Sequence, residues 1–188
     1  MIYEIFILVL IKGKLKKDDI TMVFEVIDNI NDKHIIKYDN AKLVLLDMIY
    51  NKVNYEKIHY NEFVNFAKKN NMEYKQLIYI ANNLDEFKTF YNQIMDKDYK
   101  LNNNYIEGFV IEDGNNFMIK VKTYYYEKWK YLRELMEKVI STNKYNIKSN
   151  DELEIDFIKY LENNYKDKNI DINNINIIDE RDNFYNNN

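Results

Sequence analysis

The chain has 188 residues, a net charge of −4, no cysteine and two histidines. This length fits one ordinary domain, and a hydrophobic content of 46% is enough for a folded core. The lack of cysteine excludes a disulfide framework and a cysteine-ligated zinc site, and the net charge argues against a general nucleic-acid coat but leaves room for a local basic patch.

The N-terminal segment is an apolar run followed by lysines, and we expect residues 2–17 to form a mostly buried helix. The run of eleven residues is too short to span a bilayer, which needs about 20. Its lysines follow the apolar run, whereas a signal peptide places its positive charge before it. The sequence therefore favours a cytoplasmic protein without a membrane segment.

The next segments alternate or are continuously apolar, as strands do. Residues 21–27 predict a strand, 29–33 a turn and 34–38 a short return strand. Residues 42–50 form a nearly continuous apolar run, which is typical of a central strand.

Helical spacing follows and then returns after a hairpin. Apolar residues predict helices over 61–70, 73–95, 124–141 and 150–165, with a polar loop at 97–104. The tail from 169 is low in complexity and is expected to fray. The order of elements predicts an α+β fold with a mainly antiparallel sheet and flanking helices.

A hairpin is predicted where an Asp-Gly pair, Asp113-Gly114, separates two alternating runs. A two-residue turn places Glu107 opposite Lys120, whereas a four-residue loop places Glu107 opposite Lys122. In either register the carboxylate and both lysines share one face, because side chains alternate along a strand.

The same register makes two further predictions. With the two-residue turn, Tyr105 lies opposite Lys122. The other face of the second strand would be a core-facing set formed by Phe117, Ile119 and Val121.

A carboxylate beside two lysines suits phosphate chemistry. Lysines two apart on a strand can clamp a phosphate, and the carboxylate can hold a divalent cation that bridges phosphate oxygens. Nucleotidyl transfer requires such charge stabilisation. The pattern also fits a solvated hairpin face with a cross-strand ion pair of little energetic value.

Five short stretches together carry a family resemblance. Residues 107–110 read Glu-Gly-Phe-Val, 120–122 read Lys-Val-Lys and 23–26 read Val-Phe-Glu-Val. Residues 40–50 follow as a strand, and the aromatic run after the lysines ends at Tyr126. In this order they resemble motifs of ATP-dependent RNA ligases of the T4 RNA ligase 1 type, which belong to the covalent nucleotidyltransferase superfamily.

The resemblance implies a partial nucleotidyltransferase (ATP-grasp-like ligase) domain over 1–130, a helical region over 131–168 and a flexible tail over 169–188. It implies ATP and Mg²⁺ as cofactors, and RNA with 5′-phosphate and 3′-hydroxyl ends as the partner. Glu25 would contact the ribose or help the metal, and Glu107 would act on the metal. Lys120 and Lys122 would hold the α-phosphate, and Tyr126 would contact the triphosphate end.

The sequence departs from the family pattern at the nucleophile. The family's Lys-x-Asp-Gly sequence, expected upstream of Glu25, is absent. We therefore expect a truncated or split RNA ligase, which acts in RNA end joining or repair once a separate chain supplies the missing front half. The alternatives are a catalytically inactive nucleotide- or RNA-binding module derived from that fold, and an interaction protein with chance motifs.

Overall fold

The computed structural model describes residues 19–28, 32–168 and 170–187, and these residues form two compact units. The first unit holds residues 19–28, 32 and 38–80, and the second holds 33–37 and the described residues from 81 onwards. The helix predicted over 2–17 and residues 29–31 of the predicted turn lie outside the described residues.

A three-stranded sheet forms the first unit, in the order β1-β2-β3. β1 (Ile20–Ile27) pairs antiparallel with β2 (Lys42–Tyr50), and β2 pairs parallel with the short β3 (Glu73–Tyr74). Between β2 and β3 lies α1 (Tyr60–Lys69). The strands predicted over 21–27 and 42–50 are confirmed, and β2 is central as expected.

The core of the first unit lies on one face of this sheet, against α1. A bulge between Val23 and Phe24 shifts the β1–β2 register, so that Leu45 and Met48 both contribute to the core although three positions separate them. This bulge explains why β2 reads as a continuous apolar run. The buried residues of this core are Met22, Phe24, Leu45, Met48, Ile58, Phe63 and Ala67.

The helix predicted over 73–95 is wrong in its first half. Residues 73–74 form β3, and α2 begins only at Leu84 and ends at Ile94. Asn83 caps α2 by accepting hydrogen bonds from the backbone N–H groups of Asp85 and Glu86. Glu86 in turn accepts a hydrogen bond from the Asn82 backbone N–H, so the cap fixes the start of the helix.

The second unit contains a two-stranded sheet and most of the helices. β4 (Gly108–Glu112) pairs antiparallel with β5 (Met118–Lys122), and the helices α3 (Tyr124–Thr142), α4 (Glu152–Tyr165) and α5 (Ile177–Asn186) follow, with a 3₁₀ turn at Ile172–Asn174. The α+β class with mainly antiparallel pairing is therefore confirmed. None of the helices in the described ranges is long and apolar enough to cross a bilayer.

The return strand predicted over 34–38 is wrong. These residues are irregular, and all but Tyr38 belong to the second unit, where Ile35 is buried in the helical core. The Ile35 carbonyl accepts a hydrogen bond of 2.8 Å from the Arg181 guanidinium. A hydrogen bond from a residue 146 positions away thus takes the place of the backbone hydrogen bonds that a local hairpin would have supplied.

The C-terminal segment was expected to fray, but it contains helix α5, which is packed in the core of the second unit. Ile177, Ile178 and Phe184 of α5 are buried in the core that α3 and α4 also form. The segment is rich in Asn and Asp, but its few apolar residues are spaced so that they can be buried together. The buried residues of α3 in the same core are Trp129, Leu132, Leu135, Met136 and Val139. The division expected at residue 130 falls within α3.

Candidate functional site

The β4–β5 hairpin carries the predicted phosphate-binding residues, in a register that differs from both predicted ones. Lys122 lies opposite Gly108, and Lys120 lies opposite Val110. Glu112 and Met118 form the last pair before the connection, which leaves five residues between the strands. Glu107 is therefore not cross-strand to Lys120, and Tyr105 is not cross-strand to Lys122.

The connection is longer than predicted because Asp113 and Asn116 shape it. The Asp113 carboxylate accepts hydrogen bonds of 2.8 Å from the backbone N–H groups of Asn115 and Phe117. Asn116, and not Gly114, adopts a positive φ of 64°. An odd number of connecting residues changes which faces of the two strands coincide, because side chains alternate along each strand.

Gly108 allows the two strands to approach closely at the site. A Cβ atom there would lie 2.1 Å from the Val121 carbonyl oxygen and 2.8 Å from the Lys122 Cα. Its φ of +158° also disfavours other residues. The glycine of the Glu-Gly-Phe-Val sequence is thus required by geometry, and it places Glu107 at the strand end beside Lys122.

Glu107, Lys122 and Tyr126 form the centre of the site. Lys122 Nζ makes an ion pair with Glu107 Oε1, and both side chains are about one-third exposed. The same ammonium lies 4.8 Å from the centre of the Tyr126 ring, which favours a cation–π contact. Burial raises the pKa of Tyr126, and the nearby Glu107 carboxylate, to which its hydroxyl is hydrogen-bonded, raises this pKa further.

Thr123 joins the hairpin to α3 and sets the position of Tyr126. Its side chain is 1% exposed, and its hydroxyl donates a hydrogen bond of 2.8 Å to the Ile106 carbonyl. The same oxygen accepts from the Tyr126 N–H as the N-cap of α3, and the Thr123 N–H donates to the Glu107 carbonyl. One buried residue therefore holds the segment before β4 against the first turn of α3.

Lys120 shares the strand face of Lys122 but is exposed. It has no ion-pair partner among the residues that the structure describes. Its ammonium is thus available to an anion that approaches this face.

Two other expectations have different outcomes. The face opposite the lysines packs at its base, where the ring of Phe109 lies 5.3 Å from that of Phe90. Towards the tip Phe117 is 66% exposed and Ile119 is exposed as well, so the expected core-facing set is wrong except for the partly buried Val121.

Glu25, the remaining predicted site residue, lies on β1 in the first unit with an exposed side chain.

Metal ligation at this site rests on a single carboxylate. The described ranges contain no group of three or more histidine, cysteine or acidic side chains that could hold a metal ion. Mg²⁺ commonly binds through one or two carboxylates together with substrate phosphates and waters. Glu107 therefore fits a cation that arrives with a nucleotide.

An aromatic stack that the sequence pattern did not reveal connects residues next to the site with the helical core. The rings of Tyr105 and Tyr125 stack at 3.6 Å with an angle of 6°, and Lys100 lies 4.5 Å from the Tyr105 ring. Arg181 of α5 lies 5.6 Å from the rings of both Tyr125 and Trp129. Tyr105 and Tyr125 lie close to site residues in the sequence, on either side of the β4–β5 strand pair. Their stack therefore connects the segment before β4 and the first turn of α3 to the helical core.

Arg133 is a second residue that the sequence pattern did not indicate. It lies seven positions after Tyr126 on α3, which places both on one side of the helix. Its guanidinium donates a hydrogen bond of 2.8 Å to the Lys33 carbonyl, and its charge partly offsets the rise in the Tyr126 pKa.

The site can therefore hold an anion and a cation side by side. Lys120 and Lys122 present two ammonium groups on one strand face, and Glu107 presents a carboxylate next to them. This combination neutralises a phosphate whose oxygens also bind a metal ion.

Comparison with known families agrees with this chemistry. A family model described as RNA ligase, of the T4 RNA ligase 1 type, matches residues 10–126, and this range includes Glu25 and the site residues from Glu107 to Tyr126. No curated protein matches the chain. Because the matched residues make up well over half of its length, the chain belongs to the RNA ligase family of the T4 RNA ligase 1 type.

Proposed function

We propose that this chain supplies the α-phosphate and metal side of the nucleotide pocket of an ATP-dependent RNA ligase. The observation that carries the proposal is the meeting of Glu107, Lys122 and Tyr126 at the β5–α3 joint, with Lys120 on the same strand face. Membership of the RNA ligase family supports RNA as the substrate class.

The proposed reaction has three steps. A lysine amine attacks the α-phosphorus of ATP, which forms a phosphorus–nitrogen bond and releases pyrophosphate. The AMP group then passes to the 5′-phosphate of RNA, and the lysine is freed. A 3′-hydroxyl finally attacks that 5′-phosphate, which forms the phosphodiester bond and releases AMP.

Lys120 and Lys122 would stabilise the charge that develops on the α-phosphate in the first two steps. Glu107 would hold Mg²⁺, which supplies further neutralisation of the phosphate oxygens. Since Glu107 is paired with Lys122, its transfer to a cation would leave the Lys122 ammonium able to turn to the phosphate. The Tyr126 ring would limit how far the Lys122 ammonium moves, and the Tyr126 hydroxyl would reach the triphosphate end.

The nucleophilic lysine would come from a segment other than these 188 residues, since no Lys-x-Asp-Gly sequence occurs among them. The surface of the β4–β5 hairpin tip is further support for an additional strand or chain that packs against it. It exposes apolar side chains on both of its faces, a pattern usual in strands that are covered on both sides. These side chains are Val110, Phe117, Met118 and Ile119.

The proposal is tested by nucleotide binding and by labelling. We expect the chain to bind ATP with Mg²⁺, and Lys122→Met and Lys120→Ala each to weaken binding by about tenfold, since each removes a charge-assisted contact to phosphate. Isothermal titration calorimetry measures this, with Lys148→Ala, an exposed lysine on the loop after α3, as the charge-matched control. Equal affinities for all four proteins would reject the pocket.

Labelling tests the source of the nucleophile. With ATP labelled at the α-phosphate and Mg²⁺, we expect no covalent adduct on this chain alone. A stable adduct here would show that one of its own lysines is the nucleophile.

The second candidate is a nucleotide- or RNA-binding module without catalysis, and the absence of Lys-x-Asp-Gly favours it. The two candidates differ when a polypeptide with the front half of a ligase of this type is added. Joining of RNA ends that depends on Lys122 supports the ligase, whereas ATP binding without any joining supports the module.

A further inference from the structure

A row of cations continues from the site along α3. It consists of Lys120 and Lys122 on β5, Lys130 and Arg133 on α3, and Lys33 from the segment before β2. We call these five residues the basic row.

Helix geometry aligns the α3 part of the basic row with the site. Tyr126, Lys130 and Arg133 lie at positions i, i+4 and i+7, which share one side of an α-helix. With a rise of about 1.5 Å per residue, Arg133 lies about 10 Å along the axis from Tyr126. Lys122 contacts the ring of Tyr126, so the row runs without a break from β5 into α3.

Contacts with the backbone fix the far end of the row. Arg133 donates to the Lys33 carbonyl, and this hydrogen bond leaves most of its guanidinium N–H groups for other acceptors. Lys33 Nζ lies 4.0 Å from Glu137 Oε1, the outer limit of an ion pair, and its side chain is 47% exposed. Lys33 therefore remains accessible to a larger anion.

The row holds five cations against the two carboxylates paired with them, Glu107 and Glu137, although the chain as a whole is negative. Of the five cations, only Lys122 and Lys33 have a carboxylate partner in the described part of the chain. Lys120, Lys130 and Arg133 have none there. A row of this kind complements a polyanion with regularly spaced charges.

We propose that the basic row binds the phosphodiester backbone of a single RNA strand, with the reacting end of that strand at Glu107 and Lys122. The inference rests on the proposed function and adds to it the path of the RNA away from the nucleotide pocket. Contacts of this kind position the strand and are independent of its sequence.

Lys130→Ala is the variant that tests the row, because Lys130 has no hydrogen-bond or ion-pair partner in the part of the chain that the structure describes. We expect it to weaken binding of a short 5′-phosphorylated single-stranded RNA by about three- to tenfold at low salt. The slope of log affinity against log salt should fall by about 0.7, as expected for one lost phosphate contact on a single strand. Fluorescence anisotropy at several salt concentrations measures both quantities, with two RNA sequences that should give the same loss.

Lys144→Ala is the matched control, since Lys144 is an exposed lysine just beyond the C-terminal end of α3. It removes the same charge beyond Thr142, the last residue of α3, which lies about 24 Å along the helix axis from Tyr126, and we expect RNA affinity and salt slope to stay unchanged. Equal losses in Lys130→Ala and Lys144→Ala, or no salt-dependent RNA binding by the unaltered chain, would overturn the inference.

ATP binding in the same samples separates this inference from the proposed function. Lys130→Ala should bind ATP as the unaltered chain does, because Lys130 lies outside the nucleotide pocket. Normal ATP binding with no effect of Lys130→Ala on RNA rejects the RNA path alone. Loss of ATP binding in the unaltered chain rejects the proposed pocket.

Discussion

At the scale of single residues, Gly108 sets the distance between β4 and β5 next to Lys122. In Gly108→Ala the new methyl group would meet backbone atoms, which cannot rotate away as a flexible side chain can. We expect the free energy of unfolding to fall by about 1–3 kcal/mol, the usual cost of overpacking. Urea denaturation measures the change.

Gly114→Ala is the natural comparison, since a Cβ atom there meets no atom within 4 Å. It should shift the free energy of unfolding by no more than about 0.5 kcal/mol. If both alanine variants unfold at the same urea concentration, the close approach of the strands at position 108 does not require glycine.

The sequence predicted that Glu107 and Lys122 lie close together, but it did not predict the strand register that brings them there. The Glu-Gly-Phe-Val and Lys-Val-Lys stretches led to Glu107 and Lys122, and both lie together in the structure. Their register depends on whether Asp113 and Asn116 lengthen the turn, a choice that an Asp-Gly pair alone does not decide. Arg133 and Arg181 were missed because their partners, Lys33 and Ile35, are 100 and 146 positions away.

At the scale of secondary-structure elements, the joint between β5 and α3 depends on the Thr123 hydroxyl. Thr123→Val keeps the shape of the side chain but removes the N-cap of α3 and leaves the Ile106 carbonyl without its donor. We expect a loss of about 1–3 kcal/mol in the free energy of unfolding, measured by chemical denaturation. ATP affinity should also fall, because Tyr126 lies in the turn that the cap fixes.

Thr123→Ser controls for this prediction, since it retains the hydroxyl and removes only a methyl group. It should keep most of the stability and the ATP affinity. A valine variant as stable as the serine variant and the unaltered chain would show that the Thr123 hydroxyl, and with it the cap, does not hold the joint.

Strands and helices with a strong local signal were predicted well, and those that depend on distant contacts were not. The alternation in residues 20–27 and the long apolar run in 42–50 require no knowledge of the rest of the chain. Residues 77–83 satisfied a helical spacing by chance, whereas Asn83 and Glu86 already carried the capping signal of the true start. Helix α5 could not be predicted from a segment rich in Asn, because its three buried apolar residues find their partners only on α3 and α4.

At the scale of the whole molecule, partly buried tyrosines connect stability to alkaline pH. Burial raises the pKa of Tyr125 from 10.0 to about 12. Burial and the Glu180 carboxylate likewise raise the pKa values of Tyr160 and Tyr165. A group whose pKa is raised by folding stabilises the fold below its unfolded pKa, and this contribution is lost as the pH rises through the folded value.

We therefore expect the free energy of unfolding to be insensitive to these tyrosines below pH 10 and to decline between pH 10 and about 12. Tyr125→Phe keeps the aromatic ring but removes its titrating hydroxyl, so its decline should be shallower. Urea denaturation at a series of pH values measures both slopes. Identical slopes for the two proteins would exclude Tyr125 as a source of the alkaline instability.

The stack of Tyr105, Tyr125 and Arg181 shows that the folding unit extends beyond the residues that match the family. The match to the RNA ligase family ends at Tyr126, in the first turn of α3, whereas Arg181 and the apolar partners of that helix follow it. A polypeptide cut at Tyr126 would keep Glu107, Lys120 and Lys122 in its sequence but lose the helices that hold them together. Within this unit, the residues that match the family and the helices that support the candidate site therefore lie in different stretches of the chain.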